Sequence, residues 1–254
     1  PVAHSFPTRR SSDLVGILSI GEKWQKHTGL EIGYFTKKYL SKKYKALNGD
    51  DIFLINGRLL PDKKLLNEIL NLKKREKIKK NDVLLASHTD RLPDNPDNPE
   101  YNLSEYTEYE YNEIPKMINF PWEIFSLNGD EIHSDFQLIT QGRKSKSLSS
   151  TNKVLFHEDV FVEEGVKAEC AIFNARNGPI YLGKNTEIME GSVVRGPFAI
   201  CEGSTLKLSA KIYGPTTVGP HCKVGGEVNN SVFQGYSNKG HDGSWKFERL
   251  DLGT

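Results

Sequence analysis

The sequence predicts an incomplete α/β domain followed by a left-handed parallel β-helix built of hexapeptide repeats. Two observations carry this prediction. Aliphatic residues recur every six positions between residues 182 and 224, and before residue 152 short apolar runs alternate with one-sided apolar patterns of helical period. A helix buries residues at a period of 3.6 and a half-buried strand at a period of two, so a period of six requires a repeating unit of one strand plus one turn.

The repeat region is regular enough to assign an inward-facing position. This position is filled eight times in succession, by Leu182, Ile188, Val194, Ile200, Leu206, Ile212, Val218 and Val224. Four positions after each stand mostly small residues, namely Thr186, Ser192, Phe198, Ser204, Ala210, Thr216, Cys222 and Val228. The period continues upstream, with a two-residue slip before Leu182, at Val162, Ala168 and Ile180. An ordinary β-sandwich would not hold a strict period of six.

Three such units close a triangular coil of 18 residues, and neighbouring coils stack at the spacing of paired strands, about 4.8 Å. The tripeptides at residues 195–197 (Arg-Gly-Pro) and 213–215 (Tyr-Gly-Pro) stand 18 residues apart. Each is therefore expected to stack on its counterpart one coil along, in a β-helix of about four coils.

The first part of the chain predicts strands and helices in alternation. An apolar run at 15–20 precedes a helical pattern at 22–26, and a buried strand at 51–56 ends in an Asn-Gly turn. Pro61 and Asp62 open a helix whose apolar face consists of Leu65, Leu66, Ile69, Leu70 and Leu72. A strand follows at 83–86, and strand, helix, strand in this order predicts a βαβ unit with parallel strands.

The remaining segments are interpreted as surface. Lysine clusters at 37–45 and 73–80 suggest either a phosphate-rich partner or a solvated helix face, and the absence of interleaved aromatic residues favours the helix face. Residues 90–112 predict an exposed loop. The Ser/Lys-rich stretch 144–153 marks a boundary, which gives a partial α/β domain at 15–152, a β-helix at 153–243 and a tail at 244–254 that loses the period.

The N-terminal residues 1–14 are expected to be non-native. Residues 4–14 show no apolar periodicity. Codons that encode these eleven residues in order can be written as a DNA sequence that resembles a short-read sequencing adapter. The alternative is a flexible polar tail. On the adapter interpretation the native N-terminus is missing and the chain starts within a domain.

Composition excludes several classes of protein. The 34 basic and 33 acidic residues nearly balance, which argues against nucleic acid or an anionic membrane as the main partner. No apolar run approaches the roughly 20 residues of a membrane span. The three cysteines, Cys170, Cys201 and Cys222, are odd in number and widely spaced, which favours buried thiols in a reducing cytoplasm over a disulfide framework.

Several segments resemble one bacterial family. Residues 188–197, 211–221, 224–232 and 235–241, and more thinly residues 15–24 and 120–143, are similar to bifunctional sugar nucleotidyltransferases related to N-acetylglucosamine-1-phosphate uridylyltransferase/glucosamine-1-phosphate acetyltransferase. The resemblance covers roughly residues 15–243. It implies a role in sugar-nucleotide synthesis, and a truncation at both ends, because relatives continue with further coils.

For the first domain, the resemblance implies that a sugar-1-phosphate is joined to a nucleoside triphosphate with Mg²⁺. The Gly-rich loop that cradles phosphates would lie before Val15. A carboxylate at the end of a central strand would hold the metal. The matching strand end is Asn56-Gly57-Arg58, without an aspartate, so we expect no nucleotidyl transfer from the chain as it stands.

For the second domain, the resemblance implies transfer of an acetyl group from acetyl-CoA to the amine of a sugar phosphate. Such a reaction needs a base near neutral pKa and donors for the oxyanion. His241 matches the family's catalytic histidine, and the alternative is an exposed loop histidine. Lys239 is a candidate partner for the sugar phosphate, or simply an exposed lysine.

Further substrate-binding candidates follow from the same resemblance. Asn229 and Asn230 line a sugar pocket or fill a corner where asparagine tolerates left-handed backbone. Tyr213 stands where the acetyltransferases carry a phosphate-contacting arginine, and Arg195, one coil earlier on the same face, is a substitute. His157 and His221 lack the spacing of histidine metal ligands, and no metal site is predicted.

Relatives are homotrimers with the acyl site shared between neighbouring β-helices, so a homotrimer is expected. Two alternatives remain open. The β-helix could serve as a non-catalytic trimerisation or sugar-binding scaffold, or the protein could be a single-function nucleotidyltransferase such as a glucose-1-phosphate thymidylyltransferase.

Overall fold

A computed structural model describes residues 2–5, 13–37, 39–40, 42–47, 49–95 and 103–246, with residues 2–5 and 244–246 described as backbone only. The chain divides into two compact units. Unit 1 comprises Pro1–Asp13 and Ser19–Asn119, and unit 2 comprises Leu14–Leu18 and Phe120–Thr254. Within the described ranges, no helix has the length and apolar content to cross a membrane.

The first half of the chain forms, in order, β1 (Val2–Ser5), β2 (Leu14–Val15), β3 (Leu18–Ser19), α1 (Ile20–Thr28), β4 (Ile32–Phe35), β5 (Ile52–Asn56), α2 (Lys63–Leu70), β6 (Glu76–Lys80), β7 (Val83–Thr89), β8 (Thr107–Glu110) and α3 (Pro121–Thr140). The second half forms β9 (Lys153–Leu155), a short 3-10 helix (His157–Asp159), β10 (Val160–Val162), β11 (Lys167–Ala168), β12 (Ile172–Asn174), β13 (Ile180–Leu182), β14 (Glu187–Ile188), β15 (Val193–Arg195), β16 (Phe198–Ile200), β17 (Thr205–Leu206), β18 (Lys211–Tyr213), β19 (Thr216–Val218), β20 (Lys223–Val224), β21 (Glu227–Asn229), β22 (Val232–Phe233), β23 (Asn238–Lys239) and β24 (Ser244–Lys246).

Unit 1 is built on a mixed six-stranded sheet in the order β4-β1-β5-β7-β6-β8. Strand β1 runs parallel to β4 and β5, whereas β7 runs antiparallel to β5. The predicted parallel βαβ unit is therefore wrong. Strand β6 intervenes after α2 and turns through Asn81, in the left-handed region at φ 51°, into an antiparallel β6–β7 hairpin.

Two of the predicted helices of unit 1, the one at 22–26 and the one opened by Pro61 and Asp62, are confirmed. Ser19 and Glu22 form a reciprocal capping box at the start of α1, and Gly29 ends it in the left-handed conformation. Asp62 caps α2, whose buried residues are Leu65 and Ile69.

The lysine-rich segment 73–80 is not a helix face, contrary to expectation, because its second half is β6. Lys77 is buried and its Nζ lies 3.1 Å from the carbonyl oxygen of Leu103 and 3.2 Å from Glu108 Oε2. The acidic strand β8 thus neutralises these lysines. Because β8 lies at Thr107–Glu110, the expectation of a loop throughout 90–112 is wrong for that part. The described residues of 37–45 form turns and irregular backbone instead of the expected helix.

Unit 2 contains the predicted left-handed parallel β-helix, with about five turns where about four coils were expected. Its three faces are the sheets β10-β13-β16-β19-β22, β11-β14-β17-β20-β23 and β9-β12-β15-β18-β21-β24. All sixteen residues at the two inward positions of the eight repeats are at most 2% exposed. The 18-residue register is confirmed by the pairing of Phe198 with Thr216. Cys201 and Cys222 are buried, whereas Cys170 is exposed, contrary to the expectation of buried thiols.

Helix α3, also in unit 2, was not predicted as an element. Its buried residues include the polar Asn128, Glu131 and Asp135, so it lacks the apolar stripe by which amphipathic helices are recognised. The polar stripe binds the chain segment Leu14–Leu18. Asp135 Oδ2 accepts hydrogen bonds from the amides of Ile17 (2.8 Å) and Leu18 (3.0 Å), and Asn128 Oδ1 accepts from Gly16 N (2.8 Å).

Side chains of the β-helix also bind the segment Leu14–Leu18. Thr217 Oγ1 donates to the Gly16 carbonyl at 2.8 Å. The Gln234 amide accepts from Leu14 N at 2.9 Å and donates to the Leu14 carbonyl at 3.1 Å. One face of the β-helix therefore carries Leu14–Leu18 as if it were a bound peptide.

A charged cluster lies at the start of the β-helix. Glu163 accepts hydrogen bonds from Arg143 Nη2 (2.7 Å) and from the Tyr181 hydroxyl (2.9 Å). The guanidinium of Arg143 lies over the ring of Phe161, 5.0 Å from its centroid. Burial and the negative charge of Glu163 raise the pKa of Tyr181, so this hydroxyl stays a donor.

The expectation that residues 1–14 are non-native falls mostly outside the described residues. The structure describes the backbone of positions 4 and 5 within β1, together with positions 13 and 14. Of the tail at 244–254, residues 244–246 form β24, and the rest lies outside the described part.

Candidate functional site

The carboxyl ends of three parallel strands form one edge of the unit 1 sheet. Ser5, at the end of β1, is paired with Phe35 of β4 on one side and with Asn56 of β5 on the other. The chain leaves β1 toward β4 and leaves β5 toward β7, so its connections diverge between β1 and β5. In α/β sheets, ligands bind beyond the carboxyl ends of the strands where the connections diverge in this way.

The turn after β5 is fixed by many hydrogen bonds. Asn56 is buried; its Nδ2 donates to the Leu84 carbonyl at 2.8 Å and its Oδ1 accepts from Arg58 N at 3.1 Å. The Arg58 carbonyl accepts from Ile118 N at 2.8 Å. The half-buried guanidinium of Arg58 donates to Asn119 Oδ1 at 3.3 Å. The positively charged side chain of Arg58 is thus held at the end of a central strand.

The residues at this strand end do not fit a magnesium ion. Mg²⁺ prefers carboxylate oxygens and bound water, but the amide of Asn56 is occupied on both sides and Arg58 places positive charge beside it. Across the described ranges, no three His, Cys, Asp or Glu side chains are grouped closely enough to hold a metal ion.

The structure brings three of the predicted substrate-binding residues onto one face of the β-helix. Tyr213 pairs with Asn229 of the adjacent coil. Val194 pairs with Ile212, so the residues that follow these two, Arg195 and Tyr213, occupy equivalent positions in adjacent coils. The three residues therefore form one outward column. Arg195 and Tyr213 are exposed, and Asn229 is half-buried.

Sequence reasoning missed one member of this column, Asn174. It pairs with Arg195 one coil earlier, and its Oδ1 accepts a hydrogen bond from Arg176 N at 3.1 Å. Its position could be recognised because it follows the inward Phe173 as Arg195 follows the inward Val194. Asn230 lies at the corner beside Asn229, in left-handed backbone at φ 45°.

The structure places the other two candidates elsewhere. Lys239 belongs to β23, on a different face, in register with the inward Val224. Its ammonium donates to backbone carbonyls of Gly225, His241 and Gly243, which directs it at the backbone of the loop that carries His241. His241 is exposed, and among the described residues no group forms a hydrogen bond with its imidazole ring.

Comparison with known proteins identifies the family of the first part of the chain. A family model described as sugar nucleotidyl transferase matches residues 8–144, which is more than half of the 254 residues. A search of curated proteins finds no match to the chain. On the strength of the family match and of the strand-end geometry, this chain belongs to the sugar nucleotidyl transferase family.

Proposed function

We propose that the protein is a cytoplasmic enzyme of sugar-nucleotide synthesis that joins a sugar-1-phosphate to a nucleoside triphosphate and transfers an acetyl group on its β-helix. The observation that carries the first activity is the family match over residues 8–144, together with the row of strand ends at Phe35, Ser5 and Asn56. The product is a nucleotide sugar of the UDP-N-acetylglucosamine type, and the protein works as a homotrimer.

At the strand ends, the guanidinium of Arg58 supports binding of a phosphate group. Its planar fork of N–H donors matches two phosphate oxygens, and its positive charge needs no metal ion to attract them. The tight turn through Asn56 fixes the Arg58 backbone, so binding orders only side-chain torsions. The residues at this edge do not fit Mg²⁺, so the positive charge offered to the phosphate is that of Arg58.

On the β-helix, the outward column of Arg195, Tyr213 and Asn229, with Asn230 at its corner, supports binding of a sugar phosphate. The amine nitrogen of the sugar would attack the thioester carbonyl of acetyl-CoA, so that the new C–N bond forms as the C–S bond breaks. His241 would take the proton from the amine and return it to the departing thiolate. Its exposure suits a base that must meet an incoming substrate.

Two assays on the purified chain test the proposal. Incubation with glucose 1-phosphate and either UTP or dTTP, followed by product analysis, decides between this activity and the expectation, from the missing aspartate after Asn56, that the chain as it stands transfers no nucleotide. A nucleotide sugar would support the proposal and identify the preferred base, and no product would contradict it for this chain. Incubation with glucosamine 1-phosphate and acetyl-CoA should release a free thiol. His241→Ala should abolish that release, whereas His221→Ala, at an exposed histidine stacked on Tyr236, should not.

A second candidate function is a non-catalytic β-helix scaffold that trimerises or binds sugar. It is favoured by the absence, among the described residues, of any group that orients the imidazole of His241, because a general base is normally held by a partner. Under this alternative no thiol is released, yet sedimentation still reports a trimer. A monomer in solution would contradict the homotrimer that both candidates include and leave only the sugar-binding form of the scaffold.

A further inference from the structure

One column inside the β-helix changes from apolar to charged at its last described strand. Its inward residues, in order along the solenoid, are Ala168, Ile188, Leu206, Val224 and Lys239. The first four are at most 5% exposed. Lysine is the only charged residue of the five, and it occupies a position where an apolar side chain would stack on Val224.

The ammonium of Lys239 is fully hydrogen-bonded to backbone. Nζ lies 2.6 Å from the Gly225 carbonyl oxygen, 2.8 Å from that of Gly243 and 3.2 Å from that of His241. An ammonium has three donors, so these three carbonyls use its capacity. Two of the acceptors belong to the loop at residues 240–243, which carries His241.

A second lysine holds the other end of the same loop. Lys207 Nζ donates to the Gly240 carbonyl at 3.0 Å. Both lysine side chains pass over glycines, which have no side chain to obstruct them. A Cβ at Gly226 would lie 3.0 Å from Lys239 Nζ, and one at Gly225 would lie 3.2 Å from Lys207 Cβ. The two glycines therefore leave the space in which both lysine side chains cross to the loop.

We infer that Lys239 and Lys207 are positioning residues, which hold the backbone of the loop at residues 240–243 so that His241 projects from one fixed backbone position. The inference rests on the proposed acetyl transfer, for which His241 is the base. Charge-assisted hydrogen bonds to loop carbonyls replace the partner that the imidazole lacks among the described residues. Because the ammonium is directed at the backbone, Lys239 acts on the reaction through His241 and not as a ligand of the sugar phosphate.

Lys239→Met separates this role from a purely structural one. Methionine keeps an unbranched side chain of similar length and suits the apolar column, so the β-helix should remain folded. The matched control is Lys223→Met, at an exposed position beside Val224. Lys207→Met tests the second contact and replaces the first variant if Lys239→Met does not fold.

Two measurements are made on each variant of the full chain. Backbone ¹⁵N order parameters at residues 240–243 should fall from about 0.85 to below about 0.6 in Lys239→Met and Lys207→Met. For glucosamine 1-phosphate and acetyl-CoA, kcat should fall by roughly ten- to a hundred-fold while KM changes little. Lys223→Met should match the wild type in both.

The outcomes separate this inference from the proposed function. Unchanged order parameters in both lysine variants, or a loosened loop with unchanged kcat, overturn the positioning role. A rise in KM for the sugar phosphate with unchanged kcat would instead identify Lys239 as a substrate ligand and overturn it as well. If the wild type transfers no acetyl group, the proposed function fails, and the order parameters alone decide whether the lysines hold the loop.

Discussion

Replacement of Asp135 by alanine should destabilise unit 2 by about 3 kcal/mol. Asp135 is 2% exposed, and its Oδ2 accepts from the amides of Ile17 and Leu18. A buried N–H left without an acceptor costs about 1–3 kcal/mol, so two give a range of about 2–6 kcal/mol. The lower part of that range applies, because the Leu18 bond is only partly buried and water can replace it. Asp135→Asn keeps an acceptor oxygen but loses the charge, and should cost about 1 kcal/mol.

Urea unfolding followed by circular dichroism gives the change in the free energy of unfolding, and hydrogen exchange of the Ile17 and Leu18 amides gives the local effect. A loss of about 3 kcal/mol corresponds to roughly hundred-fold faster exchange at both amides. Asp130→Ala, at an exposed position of the same helix, is the control and should cost less than about 0.5 kcal/mol. Equal stability of the two alanine variants, or unchanged protection of Ile17 and Leu18, would refute the assignment of Asp135 as the acceptor that fixes this segment.

Three further predictions address the core, the pH dependence and the strand-end site. Phe198→Ala, at a fully buried position, should cost about 3–5 kcal/mol in urea unfolding, whereas Leu208→Ala, at a 60% exposed position, should cost under about 0.5 kcal/mol. Burial alone raises the pKa of Glu163, but hydrogen bonds from Arg143 and Tyr181 outweigh it and hold the pKa below its ordinary 4.5. The stabilisation from ionised Glu163 is complete above the pKa of the unfolded state and is lost as pH falls through the lowered pKa of the folded state. Tm should therefore drop more steeply below about pH 4.5 in the wild type than in Glu163→Gln. Equal dependence of Tm on pH in the two proteins would contradict this prediction. Arg58→Gln should raise the Kd for glucose 1-phosphate about ten-fold in calorimetry with a chelator present, while Arg75→Gln, near the amino end of β5, should leave it unchanged.

The β-helix was predictable because every coil repeats the same environment. A side chain that points inward in one coil is stacked on the inward side chains of the next, as Val194 is on Ile212, so the chemistry of burial recurs at a fixed period. The same regularity predicted that Arg195 and Tyr213 share one face. Asn229 joins their column at a spacing of 16 residues from Tyr213, which the 18-residue period does not predict.

Unit 1 was less predictable because its strands depend on distant partners. The segment Glu76–Lys80 has the composition of a solvated helix, and only its position between β7 and the acidic β8 makes it a strand. Its presence also reverses the direction of β7 relative to β5. Long-range pairing of this kind overrides local propensity.

Helix α3 escaped prediction for a different reason. Helices are recognised by an apolar stripe, but the buried stripe of α3 includes Asn128, Glu131 and Asp135. Asn128 and Asp135 are buried because they bind the backbone of residues 16–18, which is more than 100 residues away in the sequence. The position of Lys239 was inaccessible for a similar reason, since its carbonyl partners depend on the register of the last coil.

The peptide-like binding of Leu14–Leu18 has a consequence for the order in which the chain can fold during synthesis. Leu14 is hydrogen-bonded to Gln234, 220 residues further along. At roughly 5–20 residues per second, a ribosome needs about 10–45 s to make the intervening chain. Throughout that interval the apolar Leu14, Val15 and Ile17 have no completed β-helix to bind, so the nascent chain exposes a short apolar segment to which chaperones can bind. Unit 2 can therefore close only after Gln234 has been synthesised, so a pause in translation before that point prolongs the exposure of this segment and favours aggregation.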